Sequence, residues 1–164
     1  MADLRVMSGP PIVRAAVPAD AVALQSLYRQ LIDDENVNVA GPQIQRIADE
    51  GRGRLFICES DGHVIATALV ALCADVMYGG QPFAVIDNVV VSQTCRGRGI
   101  GRILLREVEQ FCSLRDCSKM MLLSSALRVD AHRFFESAGF RSDLKRGFVK
   151  YRRQFDPRAE RQKV

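Results

Sequence analysis

Ile86-Asp87-Asn88-Val89-Val90-Val91-Ser92-Gln93-Thr94-Cys95-Arg96-Gly97-Arg98-Gly99-Ile100-Gly101-Arg102 is the stretch on which the reading of this chain turns. Its apolar, β-branched opening predicts a strand, taken as Phe83 to Val91. Downstream, Ile100, Leu104, Val108 and Phe111 recur on one face of a helix. Between them, glycines alternate with arginines. Glycine leaves the backbone bare, so a ligand can reach the amides that a helix start leaves without partners. Those amides carry partial positive charge and form an anion site, to which Arg96, Arg98 and Arg102 add formal charge. The expected guest is a pyrophosphate. A dinucleotide fingerprint is a poor fit, because the third glycine comes one position early and Arg102 stands in its place. A phosphate-binding P-loop is absent, since no GxxxxGK precedes a Ser or Thr.

Working outward, Ile12 to Ala16 reads as a short strand, and Pro18 with Asp20 turns the chain into a helix. Leu24, Leu27, Tyr28, Leu31 and Ile32 give that helix a buried stripe. The acidic DDENVNVAGP reads as a loop, followed by a shorter helix around Gln43 to Asp49. Arg54 to Glu59, His63 to Met77 and Phe83 to Val91 form three consecutive antiparallel strands, divided by Asp61-Gly62 and Gly79-Gly80. After the long helix, Lys119 to Ser124 reads as a buried strand, and Asp130 to Ala138 as a helix closed by Gly139. From Phe140 onward the alternation of Phe148, Lys150 and Arg152 against Val149, Tyr151 and Arg153 predicts one or two final strands. The class is α/β with a mixed, mainly antiparallel sheet and about four helices.

The passage from Ile86 to Glu109 resembles the main cofactor motif of the GNAT superfamily of acetyl-CoA-dependent N-acetyltransferases. That motif is Arg or Gln, two residues, Gly, one residue, then Gly or Ala, and Arg96, Gly99 and Gly101 match it. The later DAHRFFESAGF resembles the helix-and-GF ending of the same family. The resemblance is sharp from Phe83 to Arg141 and architectural before Ser60. It implies a splayed sheet, with acetyl-CoA lying between the strands of Phe83 to Val91 and Lys119 to Ser124. It further implies that Val89 and Val91 pair with the pantetheine arm, and that Arg96, Gly97, Arg98, Gly99, Ile100, Gly101 and Arg102 hold the pyrophosphate. Relatives are frequently dimers, so a homodimer is an open expectation.

Acetylating an amine meets one main obstacle: an alkyl ammonium with pKa about 10.4 must lose a proton near pH 7. The family often carries an acidic residue where Asp87 stands, and the resemblance implies a general base. A carboxylate of ordinary pKa about 3.9 needs burial or a water relay to serve. Strand alternation turns Asp87 to the face of Val89 and Val91, with Asn88 opposite. Equally, Asp87 can orient nearby backbone. The Val89 amide is the candidate oxyanion donor, as in relatives. Many relatives place a tyrosine acid at the second position of Phe134-Phe135. Phe135 cannot donate a proton, so it is read as packing against the thioester, with Tyr78, Tyr151, His132 or water as substitutes. Cys95 invites a covalent reading, but no histidine lies nearby in sequence to activate it, and direct transfer fits better.

The acceptor is expected to be a small primary amine, to which Asp33, Asp34 and Glu35 offer negative charge if they are more than solvated loop residues. Transfer to protein lysines or N-termini, and a CoA-binding regulatory module without turnover, stay open. The whole chain narrows the field. Its 164 residues fit one domain, with a core of about 12–153 and a tail of 154–164. It is 48% hydrophobic and 26% charged, the balance of a water-soluble globular fold, and the longest apolar run, Val64 to Ala74, is too short for a bilayer. The net charge of +4 suits a phosphorylated ligand, but no nucleic-acid module accompanies the basic tail. Five cysteines without a CxxC pair, and two histidines, form no close-spaced ligand set, so no metal is expected. The opening MADLRVMSGPP carries no basic cluster before an apolar core, and a cytoplasmic location is the expectation.

Overall fold

A computed structural model describes residues 9–155. The chain divides into two compact units, one ending at Leu122 and the other beginning at Leu123. In the first unit, strand β1 (Ile12–Ala15) leads through a 3-10 turn at Pro18–Asp20 into α1 (Ala21–Leu31) and α2 (Gly41–Glu50). Strands β2 (Gly53–Ser60), β3 (His63–Cys73) and β4 (Phe83–Val91) follow as an antiparallel meander. Helix α3 (Ile100–Leu114) then crosses back, so that β5 (Met120–Leu122) joins β4 in parallel. The sheet order is β1-β2-β3-β4-β5.

Two local signals set this order. Asp61 and Gly62 both take positive φ, 49° and 74°, the pair of left-handed residues that a tight hairpin turn demands. A parallel pair needs a crossover, and the apolar stripe of α3 makes that helix the crossover element. Leu55 and Ile57 of β2 face Leu24 of α1 and Ile44 of α2, with Leu69 packed against the same cluster. Phe56 alternates to the other face and meets Phe111 of α3 edge to face at 5.6 Å. The sheet is therefore sandwiched, with α1 and α2 on one side and α3 on the other. Arg14 of β1 fastens the margin, bonding both Asp20 carboxylate oxygens at 2.8 and 2.9 Å and Glu59 at 2.9 Å.

The second unit holds α4 (Val129–Ser137), close to its expected bounds. The final strands expected after Phe140 do not form among the described residues. Residues 141–151 carry no regular structure, and a 3-10 turn follows at Arg152–Gln154. Phe148, Val149 and Tyr151 are 88%, 61% and 61% exposed. Alternation supplies a face but no partner edge, and without a ladder the segment stays irregular. The tail beyond residue 155 lies outside the described residues. No helix among the described residues is long and apolar enough to cross a membrane.

Candidate functional site

Strand β4 is joined to β5 only over Ala84–Ile86, opposite Met120–Leu122. The Ala84 amide donates to Lys119 O at 2.9 Å and the Ser118 amide to Pro82 O at 2.8 Å, so the two segments are zipped at their start. Past Ile86, β4 runs five residues farther, and no strand pairs with this edge among the described residues. An unpaired edge presents backbone donors and acceptors that an extended, amide-bearing ligand can satisfy.

The same stretch carries a bulge. Leu69 pairs with Asp87 and Thr67 with Val90, so one β3 residue, Ala68, opposes both Asn88 and Val89. Asn88 takes the left-handed φ of 50°, which asparagine tolerates better than most residues. The extra residue changes which side chains share a face. Leu69 and Thr67 lie two apart on one face, so their partners Asp87 and Val90 share it, on the side of α1. Val89 and Val91 turn to the α3 side. Simple alternation, which places Asp87 with Val89 and Val91, is thus corrected by the bulge. Asp87 is exposed, and its Oδ1 accepts the Asn88 amide at 2.8 Å. The carboxylate holds the bulge in shape and keeps Oδ2 and further lone pairs for other donors.

Beyond Val91 the chain makes a 3-10 turn at Gln93–Cys95 and reaches the arginine-glycine loop. Gly97 and Gly99 have φ of 73° and 78°, and nothing lies within 4 Å of where a Cβ would stand at either. Gly99 caps α3 in the left-handed conformation, and its carbonyl accepts from the amides of Arg102 and Ile103, both at 3.1 Å. The free space, the first-turn amides beginning at Ile100 and Gly101, and the exposed Arg96, Arg98 and Arg102 fit a pyrophosphate. Arg96 is braced by its Nε, which donates to Val91 O at 3.2 Å. The loop is also held from α1, where Gln30 Oε1 accepts the Gln93 amide at 3.0 Å.

Cys95 is buried beneath this loop, with Thr94 Oγ1 at 3.7 Å from its sulfur. Its neighbour Cys58 is buried too, and desolvation pushes that thiol up to about 11. Both thiols are buried as packing groups. Where α1 ends, Arg29, Ile32, Asp33, Asp34 and Glu35 line a cavity of about 380 Å³. Hydrogen bonds from the Asn36 amide and side chain hold the Asp34 carboxyl below its usual range.

In the second unit, Phe135 is buried and packs on Phe134 and Phe140, with ring centroids at 5.2 and 6.0 Å. His132 Nε2 lies 2.9 Å from the Ser125 carbonyl, which it meets as a donor. Ser124 Oγ is buried without a hydrogen-bond partner. Tyr78 is exposed in the β3–β4 connection. Among the described residues no group of His, Cys, Asp and Glu is arranged to hold a metal ion.

Sequence reasoning missed one residue of this site. Tyr28, read only as part of a buried stripe, packs from α1 against the cluster that also holds Leu69, and burial, with the charge of Asp87 adding to it, pushes its phenol above the ordinary range. Periodicity names the face of α1 but not what stands across from it.

Residues 23–140 match the family model described as Acetyltransferase (GNAT) family. The chain is similar to an aminoglycoside N(6')-acetyltransferase type 1 of Stenotrophomonas maltophilia, 28% identical over 137 residues, which span 82% of this chain and 89% of the relative. It is 27% identical over 109 residues to a glucosamine 6-phosphate N-acetyltransferase of Trypanosoma brucei brucei, covering 63% of this chain and 72% of that one. Among solved structures, a putative acetyltransferase from Agrobacterium tumefaciens str. C58 matches with a TM-score of 0.77 at 28% identity, covering 86% of this chain and 99% of that chain.

Proposed function

Because the chain belongs to the GNAT family and is an N-acetyltransferase, we propose that it moves an acetyl group from acetyl-CoA to a small cationic amine, using Asp87. The observation that carries this reading is the opened edge of β4, where the bulge at Asn88 sets Asp87 on the α1 face. When bound, acetyl-CoA supplies an acyl thioester, whose thiol leaving group has an ordinary pKa of about 8.5 and departs without a dedicated acid. Phe135 in the usual acid position is then no obstacle, and it serves as a packing residue.

The residues divide the work by place. The amides of the first turn of α3, with Arg96, Arg98 and Arg102, take the pyrophosphate. Backbone groups of Val89 and Val91 pair with the amides of the pantetheine arm, and the Val89 amide donates to the carbonyl oxygen as negative charge develops there. Asp87, exposed and tied at Oδ1, receives the amine proton through water.

The acidic cavity beside α1 supports a cationic acceptor. Asp33, Asp34 and Glu35 outnumber Arg29, so the lining attracts an ammonium and repels a phosphate. Of the two acceptor types in the relatives' names, an aminoglycoside fits this lining better than a sugar phosphate. The test is amine-dependent release of free thiol from acetyl-CoA, with the aminoglycoside sisomicin and glucosamine 6-phosphate compared. Faster release with sisomicin is the expected result. Saturable CoA binding without release for any amine would favour a binding module instead.

A further inference from the structure

Helix α3 ends on a left-handed cap that brings two thiols together. Asp116 takes a φ of 54°. Its amide donates to Ser113 O at 3.0 Å, and the Cys117 amide donates to Cys112 O at 3.0 Å. Such paired hydrogen bonds close a helix through one left-handed residue, and they bring the side chain third from the helix end against the one just past that residue. With α3 ending at Leu114, those side chains are Cys112 and Cys117. Standard bond lengths on either side of the 3.0 Å hydrogen bond hold the two Cα atoms within about 7 Å, and the angles at oxygen and nitrogen shorten that span. A disulfide joins Cα atoms about 4.4–6.8 Å apart. Cys112 is buried, Cys117 is partly exposed, and both thiols are free. Burial pushes the Cys112 thiol up to about 12 and the Cys117 thiol above its ordinary value, with the other sulfur among the causes at each. Cys117 is therefore the sulfur that a reagent reaches, and alkaline pH speeds its reaction.

We propose that Cys112 and Cys117 form an oxidisable dithiol site, in which a small-molecule disulfide sets an intramolecular disulfide that fastens the cap of α3. The Cys117 thiolate first attacks one sulfur of the reagent, forming a mixed disulfide and releasing one equivalent of the reagent's thiol. Cys112, having given its proton to solvent, then attacks the Cys117 sulfur and expels the second equivalent. Two protein thiols are oxidised, and one reagent disulfide is reduced to two thiols. The cap lies where α3 hands the chain to β5. Gln81 Nε2 donates to Asp116 Oδ1 at 3.3 Å, and the Ser118 amide donates to Pro82 O at 2.8 Å. The new bond fastens α3 at the end opposite the arginine-glycine loop. Its loop, Cys112 to Cys117, is short, so the gain is at the small end for a disulfide, about 5 °C in the thermal midpoint.

The experiment incubates the full chain with oxidised glutathione at about pH 8.5, near the ordinary thiol pKa, and digests it with trypsin before any reduction. Trypsin cuts after Arg115, between the two cysteines, so a disulfide keeps peptides 107–115 and 116–119 joined until reductant is added. The expected result is the joined pair, with a thermal midpoint raised by about 5 °C and restored by reductant. Cys117→Ser is expected to abolish both, and Cys112→Ala serves in its place if that variant does not fold. Separate peptides overturn the inference. A glutathione retained on Cys117 also overturns it, by showing Cys112 out of reach, and so do joined peptides with an unchanged midpoint. Neither readout depends on turnover, so the acetyltransferase reading stands or falls separately.

Discussion

The backbone amide of Gln93 donates to Oε1 of Gln30 at 3.0 Å, across 63 residues of sequence. Helix α1 thus holds the turn from which the arginine-glycine loop departs. A second glutamine on the same helix, Gln25, accepts the Val39 amide at 3.1 Å and fastens the chain between α1 and α2. One helix therefore sets both the loop assigned to the donor and the segment that borders the acidic cavity.

Gln30→Ala removes the first of these ties without touching the loop itself. One hydrogen bond of this kind contributes about 1 kcal/mol. The expected result is a rise of about fivefold in the KM for acetyl-CoA, with kcat at saturating donor little changed. Steady-state thiol release at varied acetyl-CoA measures it.

Gly99→Ala acts on the cap of α3. A left-handed alanine costs about 1–2 kcal/mol, and because no atom lies within 4 Å of the added Cβ, the cost is conformational rather than steric. The methyl group enters the space assigned to the pyrophosphate. A lower midpoint of thermal unfolding is expected, together with a weaker Kd for CoA by calorimetry.

Asp20→Asn tests the margin of the sheet. Asp20 is buried, accepts from Arg14 and from the Val17 amide at 2.8 Å, and the Arg14 guanidinium holds its carboxyl below the usual range. A folded-state pKa below the unfolded value of about 3.9 gives stability that is present above that value and lost as pH falls through the folded one. The variant is expected to lose about 2 kcal/mol at pH 7, since it leaves a charge poorly paired. The difference from wild type shrinks below about pH 4, as urea unfolding at several pH values will show.

Cys95→Ala separates direct transfer from a covalent route. The thiol is buried next to Thr94, with Cys58 nearby, and direct attack by the amine does not use it. Turnover within about threefold of wild type is expected, with a stability loss of about 1 kcal/mol for the deleted atom. Rapid-quench kinetics should show no burst of protein acetylation in the wild type.

Much of this was legible in the chain. The bounds of β4 were read as Phe83 to Val91 because strand-forming residues, Val85, Ile86 and Val89 to Val91 among them, carry the segment up to Ser92, and Asp61-Gly62 announced the β2–β3 hairpin through the two left-handed residues such a turn needs. The arginine-glycine loop declared an anion site through residue type alone. The bulge was not legible, because no glycine marks it and Asp87-Asn88 is flanked on both sides by residues that favour a strand. Its consequence, the turning of Asp87 toward α1, depends on register with β3, which is a long-range property. Tyr28 was hidden for the same reason, since a stripe on a helix does not reveal the strand it will cover. The strands expected around Phe148 failed in the opposite sense: the local pattern was present, and no ladder formed among the described residues.

Asp87→Asn bears most directly on the account. Asparagine keeps an oxygen for the Asn88 amide, so the bulge is retained, while the carboxylate that receives the amine proton is lost. With sisomicin and saturating acetyl-CoA, kcat is predicted to fall about a hundredfold, the contribution of a positioned general base, with the KM for acetyl-CoA unchanged. A kcat equal to that of wild type across the pH range would contradict the assignment of Asp87.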